Sequence, residues 1–295
     1  VTAALGAYPH TEGLLSGERA PTRFRFAWTS FPVISRAFAP MAREQRFDLS
    51  EMAIATFLQA KAYGKPLVLL PIVLAARFQE QALLCRADAD LRSPADLAGR
   101  RVGVRAYSQT TGLWLRGELA ESYGVQPEQI AWVTFEDAHV AEYVDPPFAT
   151  RAPAGKDLLT MLRAGELDAA IVGNDVPEDP QLRCVFANAQ SAGEAFYARH
   201  RLVPINHMLV ATEALVARSP EIVDEIVGLF GTSGSPLSFG RPAVDAAVAL
   251  ALRYATEQGL LPRPLTLDDV WAGSPARTAA KFGGGSRESW SLSPG

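Results

Sequence analysis

Several side chains in this sequence are suited to handling a small acidic molecule, and they are spread along the chain. Arg77-Phe78-Gln79-Glu80-Gln81 interrupts two apolar stretches. An arginine there can clamp a carboxylate through paired hydrogen bonds, and a glutamate beside it can act as proton donor. The same residues also read as a solvated turn between strands. His207 follows Asn206 as a polar pair inside the apolar run Val203–Ala211, the setting of either a satisfied core histidine or one aimed at a ligand. His10 comes shortly after Tyr8 in the turn closing the first strand, whereas His139 and His200 lie in polar contexts that predict exposed surface. Ser50 and Glu51 on a short strand, with Thr56 just after it, are polar contacts or simply an edge pair and a helix cap. Tyr107-Ser108-Gln109-Thr110 places hydroxyl and amide groups where a strand gives way to a helix. That is a natural anion site, and also the make-up of an ordinary strand-to-helix loop.

Other chemistries find no support. There is no HxH, HExxH or CxxC spacing for a metal, and no GxSxG, P-loop or dinucleotide fingerprint. A metal held by His10, Glu80 and His207 is conceivable but unsupported by spacing. The net charge of -4 is too small to point to nucleic acid, and no run of about 18 apolar residues is present to span a membrane. The N-terminal VTAALGAYPH has neither a basic region nor a long apolar one, which predicts a cytoplasmic chain, or a periplasmic one if a cleaved signal peptide preceded Val1. Cys85 and Cys184 read as buried small hydrophobes.

These residues need elements to position them. A length of 295 residues, 48% of them hydrophobic, suits one or two domains with real cores. Strands are expected at Val1–Ala7, Arg23–Trp28, Leu49–Ala55, Pro66–Val73 and Gln81–Arg86, with helices at Val33–Glu44 (interrupted by Pro40) and Phe57–Tyr63. Ser93 caps a short helix with Pro94 at its first position and Asp96 in its first turn, and Gly99 ends it. A second alternating unit follows: Arg101–Val104, Thr111–Tyr123, Ile130–Phe135, Lys156–Ala164, Leu167–Val172. The stretch Glu136–Ala154 is polar and proline-rich and reads as irregular. Later helices are expected at Ser191–Arg201, Pro220–Phe230 and Pro242–Gly259, around a strand at Val203–Ala211 and a loop over Gly231–Gly240. This alternation argues for an α/β fold.

Several of these segments resemble one family. DLAGRRVGV (96–104), FDLSEMAIATFLQAKAYG (47–64), GLWLRGELAESYGVQPEQIAWV (112–133), Pro204-Ile-Asn-His207 and LRYATEQGLLPRPLTLDDVW (252–271) are together similar to 4,5-dihydroxyphthalate decarboxylase and its relatives, within the type II periplasmic-binding-protein superfamily. The resemblance implies a two-lobed α/β fold with a mixed sheet in each lobe and the ligand cleft between them. It divides the chain into a first lobe over 1–90, a second lobe over 91–202, a return to the first lobe over 203–271, and a mobile tail over 272–295.

The implied activity is decarboxylation of a dihydroxylated aromatic acid with no organic cofactor, a divalent metal being left open. Arg77 would clamp the carboxylate, Glu80 or His207 would donate the proton, and His10 and Tyr107 would contact the phenols. Tyr8, Ser50, Glu51, Ser108, Gln109, Thr110 and Asn206 would line the ligand site. The partner is then a small aromatic carboxylate, with a homo-oligomer left open. The chain departs from the family in one place. Relatives carry Arg-x-Phe-Arg-His-Ser around the position of Phe78, where this chain has Ala76, Gln79, Glu80 and Gln81. The alternative is a solute-binding protein that closes on a small carboxylate and does no chemistry.

Overall fold

A computed structural model describes residues 1–231 and 239–275. The tail expected over 272–295 therefore lies outside the described residues from 276 onward, as does most of the expected loop over 231–240.

The first lobe is built from β1 (Thr2–Ala4), α1 (Glu12–Leu15), β2 (Ala27–Trp28), α2 (Phe38–Glu44), β3 (Leu49–Ala53), α3 (Ile54–Ala62) and β4 (Leu67–Ala76). The chain then crosses into the second lobe: β5 (Leu83–Arg86), β6 (Arg101–Val104), α4 (Thr110–Tyr123), β7 (Ala131–Thr134), β8 (Ala149–Arg151), α5 (Leu158–Arg163), β9 (Ala169–Ile171), β10 (Leu182–Cys184) and α6 (Ala189–His200). It returns with β11 (Ile205–Thr212) and ends in α7 (Glu213–Arg218), α8 (Pro220–Gly231), α9 (Arg241–Glu257) and α10 (Leu267–Trp271). The first sheet has the order β2-β1-β3-β11-β4 and the second β10-β5-β9-β6-β7-β8. Both are mixed: β11 is antiparallel to β3 and β4, and β5 is antiparallel to β9 and β10.

Some expectations shift. The strand at the end of the expected first lobe, β5, already belongs to the second sheet, so the crossing falls between Ala76 and Leu83 rather than near residue 90. Only Ala27–Trp28 of the expected Arg23–Trp28 strand pairs, with β1. Pro40 interrupts nothing: it sits in the first turn of α2, where its missing N–H has no intrahelical partner to lose. The irregular stretch contains a strand, β8, parallel to β7. Ser93 and Asp96 do form a reciprocal cap, on a single 3₁₀ turn over Pro94–Leu97.

The central strands are apolar because they are covered on both faces. Met208 and Val210 of β11 join one core layer with Phe38, Met52 and Phe57, and Leu209 and Ala211 join another with Leu70, Val223 and Ile226. Helix α4 is buried along its first ten residues, which include Trp114 and Arg116. The interior position of Arg116 is made tolerable by hydrogen bonds to the Tyr107 carbonyl (2.6 Å) and Gln258 (2.8 Å). Among the described residues, no helix is long and apolar enough to cross a membrane.

Candidate active site

The two lobes enclose a cleft of about 610 Å³. Its walls come from both lobes: Phe38, Thr56 and His207 from the first, and Arg105, Ser108 and His139 from the second.

His207 is placed by a bulge. In β11 it pairs with Ala53 of β3 and Ala75 of β4, and the register to β4 shifts on either side of it. Bulges redirect a side chain in this way next to functional sites. Because Leu209 pairs with Glu51, Glu51 lies two residues from His207's partner on the neighbouring strand, on the same face. The Glu51 carboxylate reaches His207 Nδ1 at 2.6 Å. It also accepts hydrogen bonds from the Tyr8 hydroxyl (2.6 Å) and the Gly6 amide (2.9 Å). Glu51 is fully buried, and these donors offset the cost of holding its charge there. Burial, then the Glu51 charge, pushes the Tyr8 phenol far above its ordinary range. With Nδ1 engaged, Nε2 is the edge of His207 left for a ligand.

Two helices begin at the cleft, neither capped by the side chain of the residue that precedes it. Ala53 precedes α3 and Gln109 precedes α4, and both residues line the cleft. The positive ends of two helix dipoles are thus turned toward it from opposite lobes. They are tied together where the Ala55 amide donates to the Thr110 hydroxyl at 3.2 Å. Arg105 and Lys156 add positive charge to the wall, and Glu136, Asp157 and Asp175 negative charge. Lys156 is paired with Glu166 at 2.7 Å. Arg105 is more loosely held: its Nε lies 3.5 Å from the Glu136 carboxylate, an ion pair longer than a good hydrogen bond.

Of the expected site residues, Ser108, Gln109, Thr110, Asn206 and His207 line the cleft, and the others do not. Glu51 and Tyr8 stand behind His207. Ser50 is fully buried and its hydroxyl donates to the Glu51 carbonyl. His10 stacks on Tyr8 at 5.2 Å, away from the cleft walls. Tyr107 is fully buried, with Arg116 4.0 Å over its ring and Trp132 and Phe148 against its edges, so its hydroxyl meets no ligand space.

Arg77 is an interlobe tie. Its Nη2 donates to Asn174 (2.9 Å) and the Gly173 carbonyl (3.3 Å). Glu80 is buried beyond the crossing strand, where burial raises its carboxyl above the ordinary range; the nearby Glu118 carboxyl is raised by burial and by Glu80. Between them, Gln79 and Asn206 form a reciprocal amide pair (2.8 and 3.3 Å) that binds the two crossing segments side by side.

His139, expected on the surface, lines the cleft. The signal for it was faint: apolar Val140 and Tyr143 in an otherwise polar stretch. Among the described residues no three His, Cys, Asp or Glu side chains come together as a metal site, and His10, Glu80 and His207 are not gathered in one place.

Comparison with known proteins follows the same lines. The family model described as NMT1/THI5 like matches residues 40–228. The chain is 28% identical over 253 residues to 4,5-dihydroxyphthalate decarboxylase of Comamonas testosteroni, covering 81% of this chain and 75% of that protein. It is 27% identical over 178 residues to the protein of the same name from Pseudomonas putida, covering 56% and 67%. Among solved structures it is similar to the alkanesulfonate-binding protein SsuA of Xanthomonas axonopodis pv. citri, with a TM-score of 0.53 at 17% identity over 93% of this chain and 83% of that one. The periplasmic aliphatic sulphonate binding protein SsuA of Escherichia coli gives a TM-score of 0.52 at 14% identity, over 93% and 78%. At such identities the likeness shows the fold: two lobes of the periplasmic-binding-protein kind around a cleft.

Proposed function

The chain belongs to the NMT1/THI5-like family, and we propose that it is a decarboxylase of a dihydroxylated aromatic acid of the 4,5-dihydroxyphthalate kind, working without an organic cofactor. The observation that carries this reading is the Glu51–His207 pair, 2.6 Å apart, at a cleft where two helices begin. The names of the curated relatives point the same way.

The chemistry follows from the placement. The helix starts and Arg105 hold the spectator carboxylate. His207, as imidazolium with its Nδ1–H on Glu51, delivers the Nε2 proton to the ring carbon that bears the other carboxylate. The bond between that carbon and the carboxylate then breaks, carbon dioxide departs, and the electron pair left behind restores the aromatic ring. His207 regains its proton from solvent when the cleft opens. A placed acid of this kind contributes about a hundred- to ten-thousandfold in rate, and exclusion of water from the closed cleft strengthens each electrostatic contact within it.

A second reading is favoured by one observation. Where the decarboxylases carry Arg-x-Phe-Arg-His-Ser, this chain has Gln79, Glu80 and Gln81, and its Arg77 ties the lobes together. A carboxylate-binding protein with no chemistry would have the same fold and the same two helix starts at its cleft. Incubating the purified chain with 4,5-dihydroxyphthalate separates the two. Release of carbon dioxide and formation of 3,4-dihydroxybenzoate, both abolished in His207→Ala, supports the enzyme. Binding with return of unchanged ligand replaces the enzyme by the binding protein.

A further inference from the structure

His139 belongs to the second lobe by sequence and is held by the first. Its Nδ1 lies 2.8 Å from the Thr56 hydroxyl in α3. Arg43 of α2 donates to the backbone carbonyls of His139 (2.8 Å) and Ala138 (2.7 Å). The His139 ring meets Phe38 edge-on at 5.7 Å, and His207 meets the same Phe38 ring at 5.0 Å. Two imidazoles from opposite lobes thus flank one aromatic side chain, and both line the cleft.

Their partners differ in kind. His207 has the Glu51 carboxylate behind it. His139 has a hydroxyl, and burial, followed by Arg105, Arg43 and His207, lowers it to about 4, so it is neutral in neutral solution. An imidazole backed by a carboxylate and one backed by a hydroxyl are suited to different tasks. Of the two tautomers this contact allows, the one in which the Thr56 O–H donates to Nδ1 leaves the single proton of the neutral ring on Nε2, the edge left for a ligand.

We propose that His139 recognises a phenolic oxygen of the substrate through its Nε2–H, and that Thr56 is the positioning residue that fixes its ring. The inference rests on the dihydroxylated aromatic acid reading above, and it names the residue that would tell such a substrate from the bare aromatic carboxylate. Phthalate has the carboxylates without the phenols, so it tests the contact directly.

Calorimetric titration of the full chain with 4,5-dihydroxyphthalate and with phthalate is the experiment. The wild type is expected to prefer the dihydroxylated ligand by about tenfold or more, the worth of one well-placed hydrogen bond. His139→Phe should bring that ratio to about one while keeping phthalate affinity, which also reports an intact fold. His139→Gln should recover part of the ratio. Thr56→Val should reduce it and Thr56→Ser restore it. An unchanged ratio in His139→Phe, a ratio of one in the wild type, or loss of phthalate binding in both His139 variants overturns the proposal. A wild type that discriminates but releases no carbon dioxide removes the decarboxylase reading and leaves the recognition role of His139 standing.

Discussion

Glu51 holds the Nδ1 edge of His207 at 2.6 Å, although the two lie 156 positions apart in sequence. The pairing of β3 with β11 sets them two residues apart on one face, and Tyr8 and Gly6 fix the carboxylate from behind. If the pair works as one proton-delivering unit, its members cannot be removed independently. Glu51→Gln and His207→Gln should each lower kcat by about a hundredfold or more, and the double variant should lose little beyond the worse single one. Carbon dioxide release by the four proteins measures this, and additive losses would separate the two roles.

Arg105 lines the cleft with its Nε 3.5 Å from the Glu136 carboxylate, an ion pair longer than a good hydrogen bond. Arg105→Met is expected to raise KM by about tenfold or more with a smaller change in kcat, since charged hydrogen bonds are worth about 1.5–3 kcal/mol each. Arg77→Met, which cuts an interlobe tie, should leave ligand affinity much closer to wild type. Saturation curves for the two variants give the comparison.

Gly6 is needed for space. A Cβ there would come within 2.7 Å of the Tyr8 ring and 2.9 Å of Glu51 Oε2. Gly6→Ala must therefore displace the carboxylate that supports His207. It should cost about 1–3 kcal/mol of stability and lower kcat toward the level of Glu51→Gln. Urea denaturation together with the carbon dioxide assay reads both effects.

Burial raises the carboxyls of Glu80 and Glu118 above their ordinary range. A carboxyl raised in the folded state binds its proton more tightly there than in the unfolded chain. This contribution to stability is therefore present in acid and is lost as pH rises from the ordinary carboxylate range through the folded value. Glu118→Gln removes a charge that the interior resists. Relative to wild type, it should melt at a higher temperature at about pH 8 and lose that advantage at about pH 5. Melting curves at the two pH values decide it, and a variant less stable than wild type at both would contradict the reading.

Much of this was legible in the sequence. The Ser93–Asp96 cap stands where local pattern put it, whereas the polar loop Ser108–Thr110 and the pair Asn206–His207 line the cleft as the family resemblance implied, local pattern alone having left them open. Failures came where a residue's fate depends on what docks onto it. Tyr107 carries a hydroxyl, yet its aromatic body was claimed by Arg116 and Trp132. Arg77 and Glu80 flank a crossing whose geometry turns one toward the other lobe and the other into the interior. His139 sits in a segment that reads as solvent-facing, and only the docking of α2 and α3 through Arg43 and Thr56 turns it inward.

The amide pair of Gln79 and Asn206 has a mechanical consequence. Both connections between the lobes pass through it, and Asn206 is the immediate neighbour of His207. Any rotation of one lobe against the other must bend the chain beside this pair, so His207 stands at the seam between the lobes rather than at the rim of either.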